Sequence, residues 1–115
     1  MNFEYHDKKF IAISNSEHGE VNPTTVFHYT VHGTILKGTY EGGEIASGHI
    51  LGVVHEDGDL EFFYHHINVH GELKAGKCKS RPKKLPNGSI RLYETWQWFD
   101  ENRSKGTSVL EEILE

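Results

Sequence analysis

Asp57-Gly58-Asp59-Leu60-Glu61-Phe62-Phe63-Tyr64-His65-His66-Ile67-Asn68-Val69-His70-Gly71-Glu72-Leu73 is a short strand held between two glycine turns. Each turn reads glycine, polar residue, aliphatic residue. With Gly19-Glu20-Val21, Gly33-Thr34-Ile35, Gly43-Glu44-Ile45 and Gly88-Ser89-Ile90, the triplet occurs six times. Glycine supplies the positive φ of a tight reversal, and the aliphatic residue two places on is set to point inward as a strand begins. The chain therefore reads as successive antiparallel hairpins.

Working outward, alternation and turn residues predict strands over Lys9–Asn15, Thr25–His32, Thr34–Tyr40, Glu44–His55, Leu60–Asn68, Glu72–Ser80, Ser89–Phe99 and Thr107–Leu114. Asp57-Gly58 carries a type I′ signal, and Arg81-Pro82-Lys83-Lys84-Leu85-Pro86 reads as a loop before the turn at Asn87-Gly88. Gly48 and Gly52 inside a long strand point to a bulge or bend. Gly38, Gly48 and Gly76 each follow a turn glycine by five residues, as kinks in a coiled sheet would. Val109, Leu110, Ile113 and Leu114 also suit a helical period, but closure of the sheet favours a strand there. The expected fold is all-β: an antiparallel meander of about eight strands, a closed or nearly closed up-and-down barrel. It is expected to be a single β-barrel domain over residues 1–115.

Composition narrows the classes. A hydrophobic fraction of 36%, with 6 Phe, 5 Tyr, 2 Trp and 12 Gly, suits a turn-rich sheet protein. The single Cys78 cannot close an internal disulfide, no apolar run could span a bilayer as a helix, and Met1–Lys9 lacks signal-peptide order. A cytoplasmic location is expected. The net charge of -5 disfavours nucleic-acid or membrane partners.

The segment Ile90–Trp98 carries most of the functional signal. Ile90, Leu92, Glu94, Trp96 and Trp98 share one face, so a carboxylate stands inside an otherwise apolar stripe. Such a group must be paired, protonated or wet. Either Glu94 is held by Arg or Lys across the sheet while the tryptophans fill the barrel, or it is a polar anchor in an aromatic pocket. Leu60, Phe62, Tyr64 and His66 form a second inward stripe, and His66 is the histidine best placed for ligand contact. The pocket reading takes Glu94, Trp96, Trp98, Tyr64, His66 and Phe62 as ligand-binding residues.

Nine histidines (His6, His18, His28, His32, His49, His55, His65, His66, His70) show no metal-ligand spacing, so no metal site is expected. His65 and His66 point to opposite faces. Lys77, Lys79 and Arg81 form an outward basic stripe within Lys74–Lys84, open either to a phosphate or an acidic partner or to pairing across the sheet with the acids Glu111, Glu112 and Glu115. Stacking aromatics do not interleave with it, so nucleic-acid binding is not expected. No phosphate-cradling loop or serine elbow is present, and Cys78 has no histidine in register.

Across Leu85-Pro86-Asn87-Gly88-Ser89-Ile90-Arg91-Leu92-Tyr93-Glu94-Thr95-Trp96-Gln97-Trp98 the chain resembles a family of short bacterial stand-alone proteins. His65-His66-Ile67-Asn68 with Gly71-Glu72-Leu73, Ser14-Asn15 with Gly19-Glu20-Val21, and Phe27-His28-Tyr29 extend the resemblance over nearly the whole length. Members often bear the label N-acetylglutamate synthase. That activity implies a GNAT-type fold, with a glycine-rich pyrophosphate loop between a strand and a helix. The present chain has neither, and the resemblance carries no catalytic residue to it. By architecture the chain is similar to calycin barrels of the lipocalin and avidin type.

Three functions follow as expectations. The first is a non-catalytic barrel binding a small, partly apolar molecule, without a cofactor. The second is an enzyme doing acid–base chemistry in the same pocket, with Glu94 partnered by His66 or Tyr64. The third is an interaction module using the basic stripe or a sheet edge. A homodimer is left open.

Overall fold

Five of the six turn glycines, all but Gly19, take a positive φ between strands paired as hairpins. The computed structural model describes residues 3–16 and 19–114. Its strands are β1 (Lys8–Asn15), β2 (Val26–His32), β3 (Ile35–Gly42), β4 (Ile45–Val54), β5 (Leu60–Asn68), β6 (Leu73–Lys84), β7 (Ile90–Trp98) and β8 (Lys105–Glu112). Each is antiparallel to its neighbour, and β8 returns to β1 to close the barrel. Closure leaves no free edge among these strands, so an interaction module that works by edge pairing has no strand to offer. Among the described residues there is no helix, hence no strand–loop–helix pyrophosphate cradle and no helical span of a membrane.

The hairpins at 55–59, 68–72 and 85–89 share one geometry. The first residue's carbonyl accepts from the turn glycine, while its N–H donates to the residue after that glycine. Only the glycine takes a positive φ: 95° at Gly58, 80° at Gly71 and 89° at Gly88. This is the three-residue loop in which glycine forms a bulge, not the type I′ turn expected at Asp57-Gly58. The inward aliphatic holds for Ile45, Leu60 and Ile90, and Val21 packs on the core. Ile35 and Leu73 instead face outward, at 47% and 81% exposure. Register decides this, because Ile35 opposes His32 and Leu73 opposes Ile67, both outward positions.

Two further expectations are corrected. Residues 81–84 are strand, not loop: β6 runs through Pro82, which opposes Leu92 of β7. The Leu85 N–H donates to the Ser89 carbonyl, so by alternation Pro82 sits in a non-bonded pair with β7. Its missing N–H falls on the β5 side, where that strand has already ended opposite Ser80. Likewise, register runs unbroken through Gly48 and Gly52, and the irregularity in β4 lies between Ile45 and Ser47.

The mid-strand glycines serve the aromatics. Gly38, Gly48 and Gly76 oppose Tyr29, Tyr40 and Tyr64, Gly52 opposes Phe62, and Gly106 opposes Trp96. A Cβ at Gly48 would stand 2.5 Å from Tyr40 Cζ, so the ring lies on bare backbone. Glycine here is a seat for a ring on the neighbouring strand.

One end of the barrel, holding the turns at 55–59 and 85–89, is packed solid. Phe10, Tyr29, Leu36, Leu60, Ile90, Leu92 and Leu110 are fully buried there. The opening segment, which reads as polar, adds a plug: Tyr5 is buried and its hydroxyl donates to the Gly58 carbonyl at 2.6 Å. At the other end lie Trp96, Trp98, His66 and the segment 19–25, and there the interior stays partly open.

Candidate functional site

A cavity of about 50 Å³ opens in this second half of the barrel. Phe62, Tyr64, His66, Glu94, Trp96 and Trp98 all line it, so the six residues singled out by alternation are brought to one place. Alternation succeeds here because a closed barrel gives every strand the same inside. Trp96 and Trp98 lie with centroids 5.7 Å apart, and Tyr64 meets Trp98 edge-on at 5.5 Å.

Glu94 is the buried acid of the site, with 7% exposure. Register places Ser80 of β6 and Ser108 of β8 directly opposite it on either side. Ser80 Oγ donates to one carboxylate oxygen at 2.8 Å and Ser108 Oγ to the other at 3.0 Å. The Cys78 thiol lies 3.9 Å from Ser80 Oγ and also favours the charged form of Glu94. Neutral donors therefore take the place of the cross-strand Arg or Lys that the sequence allows. Burial outweighs them and pushes the carboxyl up to about 7. The same burial raises the Cys78 thiol well above its ordinary value, which leaves it a poor nucleophile.

His66 belongs to a second polar group, at the mouth. Tyr40 OH lies 2.8 Å from Nδ1, and Nε2 lies 2.8 Å from Glu20 Oε1. A carboxylate only accepts, so Nε2 carries the proton and Nδ1 accepts from the tyrosine. Burial lowers the imidazole's pKa, with Glu20 opposing, and this keeps the ring neutral. Glu20 also receives Lys74 Nζ at 2.9 Å and the Asn68 amide. These bonds hold the segment around Glu20 across the barrel mouth. Its continuation is locked by a turn in which Thr25 N–H donates to the Asn22 carbonyl, and by Thr25 Oγ1 donating to Gly42 O at 3.0 Å.

Glu20, Tyr40, Ser80, Ser108 and Lys74 escaped prediction as site residues. A signal for Ser80 existed: a hairpin centred on Asn87-Gly88 sets it opposite Glu94, but reading 81–86 as a loop broke that count. Glu20 had none, since it approaches His66 across 46 residues of sequence. Replacing Glu20 by Gln removes the charge that supports protonated His66, so the imidazole pKa is expected to fall further. Histidine-resolved NMR titration reads this, and an unchanged or raised value would contradict the contact.

Outside the barrel, Lys77 and Lys79 are exposed as expected, and Arg81 comes only within 3.9 Å of Asp59. Glu111 and Glu112 do not balance this stripe; they pair with Arg91 and Lys8. His65 is exposed beside His49, opposite in sense to His66. His18 and Glu115 lie outside the described residues. No three His, Cys, Asp or Glu converge on a metal-binding arrangement among the described residues.

Compared with known proteins, the chain has no match among the curated proteins or the solved structures. A family model does match, over residues 3–113, from the plug beside Gly58 to the end of β8. With eight antiparallel strands closed in sequence order around an aromatic interior, the chain belongs to the avidin-like protein family.

Proposed function

We propose that the protein is a non-catalytic barrel that binds a small molecule, or one end of a larger one, in the cavity between Glu94 and His66. The carrying observation is that an aromatic-walled cavity touches a buried carboxyl and a buried imidazole at once. Aromatic walls with few polar groups suit recognition of a partly apolar ligand. Phe62, Tyr64, Trp96 and Trp98 supply the walls, while Glu94 and His66 set orientation. At about 50 Å³ the space is far below the ~300 Å³ of an ordinary drug-sized site, so the ligand is small or leaves most of itself outside.

Both tryptophans border the cavity, so ligand entry is expected to change their fluorescence and raise the melting temperature. The measurement is a metabolite panel that includes biotin, since avidin-like barrels take small ligands of that kind. A panel with neither response, together with a crystal structure whose barrel is filled by side chains, would sink the proposal.

An acid–base enzyme is the second reading, favoured by a carboxyl of about 7 in contact with the cavity. Its proton partners are poorly placed for the task. Both ring nitrogens of His66 are engaged, and burial holds the Tyr64 hydroxyl far above its ordinary pKa. Turnover of a bound compound that is lost in Glu94→Gln would move the assignment to catalysis.

A further inference from the structure

We infer that the cavity accepts a small organic cation, the ammonium end of a primary or methylated amine, seated against Glu94 and the faces of Trp96 and Trp98. This rests on the binding reading above and names its ligand class.

Four observations converge. First, among the described residues the hydrogen-bond donors to the Glu94 oxygens are both neutral, the hydroxyls of Ser80 and Ser108. An ionised carboxylate so placed has no counter-ion among the described residues, and it lines the cavity. Second, the walls are aromatic. Phe27, Tyr40, Phe62, Tyr64, Trp96 and Trp98 all border the space, and aromatic faces attract cations. Trp98 already holds one, with Lys74 Nζ at 5.5 Å from its ring centroid. Third, acids gather at the mouth. Glu20, Glu72 and Asp100 all act on Lys74, so an approaching cation meets these three acids beside it. Fourth, the size is right. An apolar cavity of ~150 Å³ holds benzene, so about 50 Å³ corresponds to roughly two or three non-hydrogen atoms. That is a methylammonium or ethylammonium head, with any longer chain leaving through the mouth.

A carboxylate facing hydroxyls, in contrast, repels an anion, and it gives a neutral alcohol one hydrogen bond in place of a charge contact. Cation binding requires ionised Glu94, so it releases a proton when the free acid is protonated. The other titratable groups that act on Glu94 or border it are Tyr29 of β2, Tyr64 of β5 and Cys78 of β6, and burial holds each neutral. His66 stays neutral at the mouth.

The test uses the full chain at low ionic strength. Methylammonium and ethylammonium are titrated beside ethanol, acetamide and acetate, with tryptophan fluorescence and saturation-transfer NMR as readouts. A ligand this small binds at best in the roughly millimolar range, so titrations extend to tens of millimolar. The expected result is saturable binding of the ammonium probes at pH 8, at least tenfold tighter than ethanol or acetamide. It should weaken as pH falls below 7, and the advantage over neutral probes should vanish in Glu94→Gln. If ethanol or acetamide binds as tightly as the cations, or if Glu94→Gln keeps the preference, this inference is overturned and the binding reading stands. If no probe binds the folded protein, and the metabolite panel is also silent, both fall.

Discussion

Glu94→Gln is expected to stabilise the protein at pH 8 by roughly 3 kcal/mol and to change little at pH 4.5 or below. The folded-state pKa of this acid lies above its ordinary value of 4.5, at about 7. The folded protein therefore holds the proton more tightly than the unfolded chain. Its contribution is most favourable below the unfolded pKa, declines as pH rises from 4.5 to about 7, and stays lost above that. A difference of that size corresponds to roughly 3 kcal/mol. Glutamine keeps the shape, accepting from one of Ser80 and Ser108 through its oxygen and donating to the other through its amide nitrogen, but it cannot ionise. His66 contributes a slope of opposite sign, since a base with a lowered pKa loses stability as pH falls below its ordinary 6.5. The difference between wild type and variant removes that background. Urea denaturation at several pH values between 4 and 8.5 gives the comparison; parallel curves for the two proteins would show that Glu94 ionises normally.

The second large effect is expected at Gly48. Gly48→Val should cost about 3 kcal/mol, at the upper end for overpacking, because the new side chain must displace the Tyr40 ring from its seat. Tyr40→Ala alone should cost about 3 kcal/mol through lost burial. Combined, the two should cost less than their sum by about 1 to 2 kcal/mol, since the truncated ring no longer collides with the valine. Gly71 is the control. It has a φ of 80° and nothing within 4 Å of a built Cβ, so Gly71→Ala meets backbone strain alone and should cost about 1 kcal/mol. Chemical denaturation of the four variants checks this. Strict additivity at Gly48 and Tyr40, or equal losses at Gly48 and Gly71, would contradict the ring-on-glycine account.

That pair also shows where reading the chain stopped short. Glycine inside a β pattern signals something unusual, and a kink in the sheet is the general expectation. What Gly48 does depends on Tyr40 lying directly across the ladder, a fact about register. Glu94 followed the same course. Its anomaly was visible as one carboxylate among Ile90, Leu92, Trp96 and Trp98, but the choice between a cation and hydroxyls turned on which residues β6 and β8 set beside it. Pro82 hid that answer, because proline usually marks a loop. Here it is tolerated at a strand position whose missing N–H faces no neighbour.

Local chemistry was thus enough for the strands, the turn positions and the two inward stripes, because a period of two and the φ demands of glycine are written residue by residue. It was enough as well to bring six wall residues to one cavity, since closure gives alternating positions a common interior. Apart from Ser80, the polar partners came from folding alone. Ser108 reaches Glu94 only through the register of β7 with β8, and Glu20 reaches His66 only when a distant segment crosses the mouth. Contacts between residues far apart along the chain depend on how the barrel closes, and neither periodicity nor composition encodes that geometry.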